Sequence, residues 1–405
     1  MKKVVVFGAG NIGRSLVGQL FSRAGYEVVF VDVVDDLVKT LNERKGYGIE
    51  LRNVVSETMW VDNVRAVHAE KTDEVAHEIA TADIIATAVG VNNLHHIYGN
   101  LAIGLVRRLG INRRPIDIII CENVRNASRL FREGLSKHLP AGYPLGSTIG
   151  FVETSIGKMV PIMTEEQRRE DPLLIYAEPY NKIILDKNGF KAEIPQAEGL
   201  ELKDNIAAYV DRKLYIHNMG HASTAYLGYI TDPDMRYIWE AISDKHIRRA
   251  VERAMWESGK AIILEYPDEF NEQNMKEYVD DIIRRFGNIY LQDTIHRVGR
   301  DVPRKLSRGD RLIGALALDE KHSVPAPFTT LAAAAAVLFR GRDDEGRLYP
   351  RDKVFAEEIY PRGIDHILEE VCGLSFEREK NLVEEIKRTY RLLAEDPQNW
   401  LSIVD

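Results

Sequence analysis

The stretch that decides the fold lies at the start of the chain, Lys3-Val4-Val5-Val6-Phe7-Gly8-Ala9-Gly10-Asn11-Ile12-Gly13. An apolar, β-branched run leads into glycines spaced G-x-G-x-x-G, and a helical pattern follows over residues 14 to 24. In such a turn the first glycine permits a tight bend, the second lets backbone amides approach a pyrophosphate, and the third lets the helix pack on the strand. The sequence therefore predicts a strand, a phosphate-binding turn and a helix. The residues expected at the phosphates are Gly8, Gly10, Asn11, Ile12 and Gly13.

The next apolar run, residues 26 to 31, predicts a second strand that ends at Asp32. A carboxylate at this position can accept hydrogen bonds from the ribose of an adenine dinucleotide. Asp35 and Asp36 follow, and no arginine stands nearby to bind a 2′-phosphate, so the pattern favours NAD over NADP. The alternative is that Asp32 only caps the helix that follows the strand.

Strands and helices continue to alternate, with strands expected at residues 82 to 89 and 116 to 120 and a helix at 93 to 109. Continuous apolar strands separated by helices predict a doubly wound parallel sheet, which makes the fold α/β with an N-terminal Rossmann-type domain. Ligands of such sheets gather at the carboxyl ends of the strands. Thr87, Gly90 and Asn123 lie at such ends and are candidate cofactor contacts, although each could be ordinary turn chemistry.

Residues 148 to 160 are predicted to return to the sheet, and the short runs 173 to 177 and 180 to 185 to extend it in antiparallel fashion. The boundary is expected near residues 195 to 199, which gives domains 1–198 and 199–405. From Leu202 the spacing of apolar residues becomes helical, so the second domain is expected to be mostly α-helical and to carry the substrate site. Its expected helices are 202–230, 234–242, 244–264, 272–286, 325–340 and 378–395.

The first of these helices contains three polar side chains that point into one sector. Winding at about 100° per residue places Lys213, His221 and Asn218 at roughly 0°, 80° and 140°. A lysine loses its proton readily once it is removed from water, so Lys213 suits general acid–base chemistry. The alternative is a surface lysine beside a hydrogen-bonded core histidine.

A second polar segment, residues 300 to 312, is rich in lysine and arginine and is interrupted by Pro303 and Gly309, which indicate a loop. Such a cluster can hold a phosphate or a carboxylate, and Arg304 and Lys305 are the preferred pair. The alternative is a solvated charged face.

The composition limits the kinds of partner that the chain is expected to bind. The chain of 405 residues carries a net charge of −8, which argues against nucleic-acid and anionic-membrane partners and leaves a small molecule held in a local basic pocket. Cys121 and Cys372 stand far apart without C-x-x-C or histidine spacing, so neither a disulfide framework nor a metal site is expected. A reducing cytoplasm is the simplest setting, and no targeting or membrane-spanning segment is recognised.

Taken together, these motifs resemble the polyol-specific long-chain dehydrogenase/reductase family, which includes the mannitol dehydrogenases. The resemblance is carried by Phe7 to Arg14, Thr87-Ala88-Val89-Gly90, Cys121-Glu122-Asn123, the spacing Lys213-x4-Asn218-x2-His221, and Arg304-Lys305-Leu306 with Gly309-Asp310-Arg311-Leu312. It implies a metal-independent, NAD-dependent interconversion of the sugar phosphates D-mannitol 1-phosphate and D-fructose 6-phosphate. It also implies that Lys213 is the general acid/base and that Asn218 and His221 position the reacting oxygen and the substrate hydroxyls.

One departure concerns the substrate. Where the family commonly has Asp-Arg, this chain has Gly157-Lys158, in a segment that borders the substrate in related enzymes; Glu153 and Lys158 are therefore candidate substrate contacts. Alternatives are a related reductase of fructuronate or tagaturonate, a more distant enzyme of the 6-phosphogluconate and 3-hydroxyacid dehydrogenase group, and a non-catalytic NAD-binding sensor.

Overall fold

A computed structural model of the chain describes residues 1–53, 57–161, 163 and 165–404. The chain divides into two compact units, Met1–Val210 and Asp211–Asp405, and each is treated separately below. The domain boundary expected at residues 198 and 199 stays a prediction.

The first unit is built on two sheets. Its strands are β1 (Lys3–Phe7), β2 (Glu27–Asp32), β3 (Gly46–Leu51), β4 (Glu57–Asp62), β5 (Val64–His68), β6 (Ile84–Thr87), β7 (Ile116–Ile120), β8 (Ile149–Ser155), β9 (Ile175–Ala177), β10 (Ile183–Asp186) and β11 (Leu200–Lys203). Within the described residues, eight strands form one sheet in the order β11-β10-β8-β7-β6-β1-β2-β5, and three form a second sheet in the order β4-β3-β9.

The large sheet is parallel from β8 through β5 and buries both of its faces. Successive side chains of a strand point to opposite faces, and β1 follows this rule. Val4 and Val6 join one apolar core, whereas Val5 and Phe7 join the other. The continuous valine and isoleucine runs are explained by this two-sided burial, and the expected Rossmann-type fold is confirmed.

Two details of the sheets differ from expectation. Strand β10 is antiparallel to β8 as expected, but β9 lies in the small sheet, parallel to β3. Residues 200 to 203 form strand β11 instead of beginning a helix, because β10 offers an edge with which they pair in parallel. The helix expected from residue 202 therefore begins at Ile206.

Helices occur in both units, and their positions in the second half of the chain follow the predicted spacing closely. They are α1 (Gln19–Arg23), α2 (Asp35–Arg44), α3 (Thr72–Thr81), α4 (Leu94–Ile111), α5 (Ala127–Ser136), α6 (Leu145–Thr148), α7 (Glu165–Glu170), α8 (Ile206–Arg212), α9 (Met219–Thr231), α10 (Ile238–Ser243), α11 (Lys245–Glu265), α12 (Glu272–Phe286), α13 (Ile295–Gly299), α14 (Val302–Lys305), α15 (Ile313–Lys321), α16 (Pro327–Leu338), α17 (Pro350–Val354), α18 (Ile364–His366), α19 (Lys380–Glu395) and α20 (Leu401–Val404). Wider π turns occur at Gly13–Gly18, Lys213–Asn218, Phe355–Ile359 and Ile367–Val371.

The second unit is organised around α9, which is buried along nearly all of its length. It packs against α11 and α16, and α16 brings the small side chains of residues 332 to 336 to the contact. A helix that is apolar on every side needs neighbours all round, which explains why this unit is a multi-helix assembly. In the described part of the chain, no helix combines the length and apolarity required to cross a bilayer.

Candidate functional site

The glycine turn of the first unit has the geometry of a phosphate cradle. Gly8 has a φ of +94°, and a Cβ placed there would come within 2.5 Å of the Ala88 carbonyl oxygen. A Cβ on Gly13 would lie 1.9 Å from the Gly8 carbonyl oxygen, whereas one on Gly10 would meet nothing within 4 Å. Gly8 and Gly13 are therefore required by the protein's own packing. Gly10 instead leaves open backbone beside the partly exposed Asn11 and Ile12. These residues fit the pyrophosphate of a dinucleotide.

Asp32 connects the end of β2 to this turn. Its Oδ2 accepts a hydrogen bond from the Ala9 amide at 2.7 Å, and its Oδ1 accepts from the amides of Val33 and Val34 at 2.8 and 3.1 Å. The capping alternative is not realised, because Val34 is the N-cap of α2 and the two amides that Asp32 Oδ1 binds precede the helix. Oδ2 accepts only one of these bonds and keeps a second lone pair, which leaves room for a ribose hydroxyl. The ribose role of Asp32 stays a prediction.

Glu122 is a residue of this site that sequence reasoning missed. It is 6% exposed and accepts hydrogen bonds from the Val89 and Gly90 amides at 3.0 and 2.9 Å. Burial raises the pKa of its carboxyl. Gly90 has a φ of +87°, so the carboxylate clamps a turn that favours glycine.

The other two strand-end candidates differ in exposure. Thr87 closes β6 and is fully buried, whereas Asn123 is exposed after β7. The position of Glu122 two residues after the buried strand β7 is the signal that could have identified it alongside them.

In the second unit, Lys213 begins the π turn that leads directly into α9. The pKa of its ammonium is lowered from 10.5 to about 7, chiefly by burial; the cations Arg311 and Arg304 contribute to the lowering, and Asp310 opposes it. The uniform winding of 100° per residue does not hold through this turn, because its hydrogen bonds run from i to i+5. The sectors expected for the three polar side chains are therefore only approximate.

Asn218 is the last residue of the π turn, and His221 lies three residues further on, in the first turn of α9. Asn218 is 8% exposed, and among the described residues its Nδ2 has no hydrogen-bond partner. A buried donor without a partner costs roughly 1–3 kcal/mol, which a substrate oxygen would recover. The His221 ring stacks on Phe286 with centroids 4.7 Å apart and planes 14° from parallel.

Asp293 is a second residue that sequence reasoning missed. Its Oδ2 lies 3.3 Å from Nε2 of His221, and Arg297 binds both of its carboxylate oxygens. Burial would raise the pKa of Asp293, but Arg297 and His221 outweigh it and hold the pKa at about 2. For His221 the larger effect is burial, which lowers its pKa, and Asp293 opposes it. No sequence signal pairs these residues, because the contact joins distant parts of the chain.

Arg304 and Lys305 have partners within the second unit. Arg304 forms ion pairs with Asp301 at 2.7 Å and Asp310 at 2.8 Å. The Lys305 ammonium donates to the backbone carbonyls of Val298 and Arg300, and the residue is only 4% exposed. These contacts stabilise the turns around α14, and a phosphate-binding role for either residue stays a prediction.

Glu153 and Lys158 likewise have partners within the first unit. Glu153 accepts hydrogen bonds from the amide and hydroxyl of Ser128, at 2.9 and 2.7 Å, and so caps the first turn of α5. The Lys158 ammonium donates to the Tyr180 carbonyl at 2.8 Å and to Asn181 Oδ1 at 2.5 Å. Their substrate contacts stay predictions. Across the described ranges, no group of three or more His, Cys, Asp or Glu residues could hold a metal ion.

The fold and these clusters define a protein with a Rossmann-type dinucleotide-binding unit and a helical unit that carries a partly buried lysine of lowered pKa. Residues 2–199 match the mannitol dehydrogenase Rossmann domain, and residues 205–404 match the mannitol dehydrogenase C-terminal domain. The chain belongs to the mannitol dehydrogenase family.

Two relatives and one solved structure illustrate the similarity. The chain is 39% identical over 342 residues to mannitol-1-phosphate 5-dehydrogenase of Brevibacillus brevis, covering 84% of this chain and 86% of the relative. It is 36% identical over 392 residues to mannitol-1-phosphate 5-dehydrogenase of Caldanaerobacter subterraneus, covering 96% and 98%. The structure of Pseudomonas fluorescens mannitol 2-dehydrogenase, a ternary complex with NAD and D-mannitol, gives a TM-score of 0.76 at 14% identity and covers 100% of this chain and 93% of that one. This last similarity supports the fold.

Proposed function

We propose that the chain is an NAD-dependent oxidoreductase that interconverts D-mannitol 1-phosphate and D-fructose 6-phosphate. The observation that carries the chemistry is Lys213, a partly buried lysine whose pKa of about 7 lets it exchange a proton near neutral pH. The substrate follows from the names of the two relatives, which match most of the chain.

The choice of cofactor rests on the first unit. The open backbone at Gly10 and the helix that follows fit a pyrophosphate. Asp32, Asp35 and Asp36 place negative charge where NADP would bring a 2′-phosphate, so NAD is the better match.

The residues of the second unit divide the proton chemistry between them. In the oxidation direction Lys213 takes the proton from the reacting hydroxyl, and in reduction it returns it. Asn218 donates from Nδ2 to the oxygen as negative charge develops, and His221 orients a neighbouring hydroxyl. NAD, when bound, accepts or supplies the hydride. We propose that no metal is needed, because Lys213 and Asn218 together supply the base and the donor for the reacting oxygen.

The setting proposed for this activity is the cytoplasm, with a small sugar phosphate as the partner and neither nucleic acid nor membrane. Both cysteines are buried thiols that form no disulfide, which suits a reducing compartment. The net charge of −8 opposes binding to polyanions.

The proposal is tested by NADH oxidation, followed by absorbance, with fructose 6-phosphate, fructose, fructuronate and tagaturonate as separate substrates. We expect turnover with fructose 6-phosphate, little with NADPH, and no loss of rate after treatment with a chelator. Turnover confined to a uronate would refute the sugar phosphate and point to the Gly157-Lys158 departure. NADH binding without turnover of any of the four would favour the non-catalytic sensor.

A further inference from the structure

His221 is held from two directions by other parts of the second unit. Phe286, the last residue of α12, covers one face of the imidazole ring, and Asp293 approaches its Nε2 at 3.3 Å. Stacking restricts rotation of the ring, and a carboxylate at one nitrogen selects which nitrogen carries the proton. Among the described residues Nε2 makes no hydrogen bond of full geometry, but the carboxylate faces it, so the stacking favours one ring orientation and the charge favours a proton on Nε2.

The carboxylate is itself fixed before any substrate binds. The Asp293 carbonyl accepts a hydrogen bond from the Ile238 amide at 2.9 Å, and the neighbouring Thr294 caps α13 through its hydroxyl. Arg297, one turn along α13, binds both carboxylate oxygens, and Asp293 is only 7% exposed. Arg297 therefore helps to keep this buried carboxylate ionised and in one place, so that its charge is available to His221.

We propose that Asp293 is a positioning residue that keeps Nε2 of His221 protonated and so leaves Nδ1 to accept a hydrogen bond from a substrate hydroxyl. This inference rests on the proposed function, because His221 has a substrate to orient only if the chain is a polyol dehydrogenase. Asp293 acts through His221 and needs no contact with the substrate.

The other charges around His221 have the opposite sign. Arg297 and Arg311 both disfavour the imidazolium, and the ring of His217, whose pKa burial holds far below its ordinary value, lies 6.2 Å away. Asp293 is the acidic group that counters them. Removing the charge of Asp293 therefore lowers the pKa of His221. Without the carboxylate, the tautomer that carries its proton on Nε2 is no longer favoured over the one that carries it on Nδ1.

The test is Asp293→Asn, which keeps the size of the side chain and removes its charge. In the reduction direction, neutral His221 is the active form, so we expect the acid limb of the pH profile of kcat/KM to move to lower pH by about one unit or more. We expect kcat/KM itself to fall by about tenfold to a hundredfold. Asp293→Glu should restore part of the loss, because it returns the charge.

Asp343→Asn is the matched control. Asp343 also pairs with an arginine four residues later, Arg347, but it has no contact with His221 among those described. Its pH profile should match the parent. If Asp293→Asn lowers the melting temperature and kcat/KM while the acid limb stays in place, the aspartate is merely structural and the inference is wrong.

Failure of the proposed function gives a different result. In that case the parent protein would not turn over fructose 6-phosphate, and the tautomer can still be read by NMR of the protein with ¹⁵N-labelled histidine, with His221→Gln to assign the signal. A single Nε2-protonated state in the parent that becomes mixed in Asp293→Asn supports the inference. A mixed state already present in the parent overturns it.

Discussion

Replacing Lys213 with alanine should nearly abolish turnover in both directions. The reaction needs a group that can take and return a proton at the carbinol oxygen, and general acid–base catalysis is worth about 10²- to 10⁴-fold in rate. We therefore expect kcat to fall by about that factor. NADH affinity should stay close to that of the parent, because the glycine turn and Asp32 belong to the first unit.

The magnitude can be worked from the pKa of the lysine. A shift from 10.5 to about 7 corresponds to about 5 kcal/mol of differential cost for the charged form. Roughly half of the lysine is then neutral at neutral pH, compared with about three parts in ten thousand for an ordinary lysine. Oxidation, which needs the neutral amine, should rise as the pH passes about 7, and reduction, which needs the ammonium, should fall over the same range.

The assay is the pH profile of kcat for both directions, measured through the absorbance of NADH. Lys276→Ala is the control, since Lys276 is an exposed lysine that pairs with Asp280 on α12. A small primary amine added to Lys213→Ala should restore part of the rate, because it can occupy the space that the lysine vacates.

Two results would refute this reasoning. One is a Lys213→Ala protein whose kcat is within a few fold of the parent. The other is a variant that is slower but keeps the pH midpoint near 7, because the titrating group would then be another residue.

Further expectations concern binding and stability. Asp32→Ala should weaken NADH binding and relax discrimination against NADPH in fluorescence titrations; an unchanged preference would remove Asp32 from the ribose role. Gly13→Ala should lower the melting temperature, because its Cβ would lie 1.9 Å from the Gly8 carbonyl oxygen, whereas Gly10→Ala should melt like the parent yet bind NADH more weakly. Equal melting temperatures for the two variants would contradict the assigned roles. Burial, helped by the charge of Glu257, raises the pKa of Asp319 from 3.8 to about 8, so the contribution of this group to folding stability is greatest in acid and is lost as the pH rises between these values, by at most about 1.4 kcal/mol per pH unit. Asp319→Asn should therefore flatten the fall of melting temperature between about pH 5 and pH 8, and a parallel fall in both proteins would show that Asp319 is not the cause.

The fold could be predicted from the sequence wherever one local pattern determines the structure. The apolar run of β1 together with the glycines at 8, 10 and 13 is sufficient for a strand, a turn and a helix, and the structure has all three elements. The place of β9 in the small sheet could not be predicted, because its partner β3 lies far away in the chain. The strand at residues 200 to 203 was mistaken for the start of a helix, because only the edge of β10 decides between the two.

The candidate site shows the same division between local and distant information. Spacing places Lys213, Asn218 and His221 on one helical segment, and the structure has them there; that they act together stays a prediction. Composition pointed to Arg304 and Lys305 as anion ligands, but the number of cations in a segment does not show that carboxylates and backbone carbonyls already bind them. Their partners became visible only with the loops in place.

The π turns at Gly13–Gly18 and Lys213–Asn218 constrain how chains of this kind can diverge. Each turn holds one residue more per hydrogen-bonded ring than an α-helix does. Because the wider turn accommodates that extra residue, deleting one residue there would return the segment to α geometry and leave the flanking helices close to their present register. A deletion within α9 itself would instead rotate the side chains on one side of it by about 100° relative to the other. A change in chain length is therefore tolerated better by the backbone at the π turns than elsewhere in these helices.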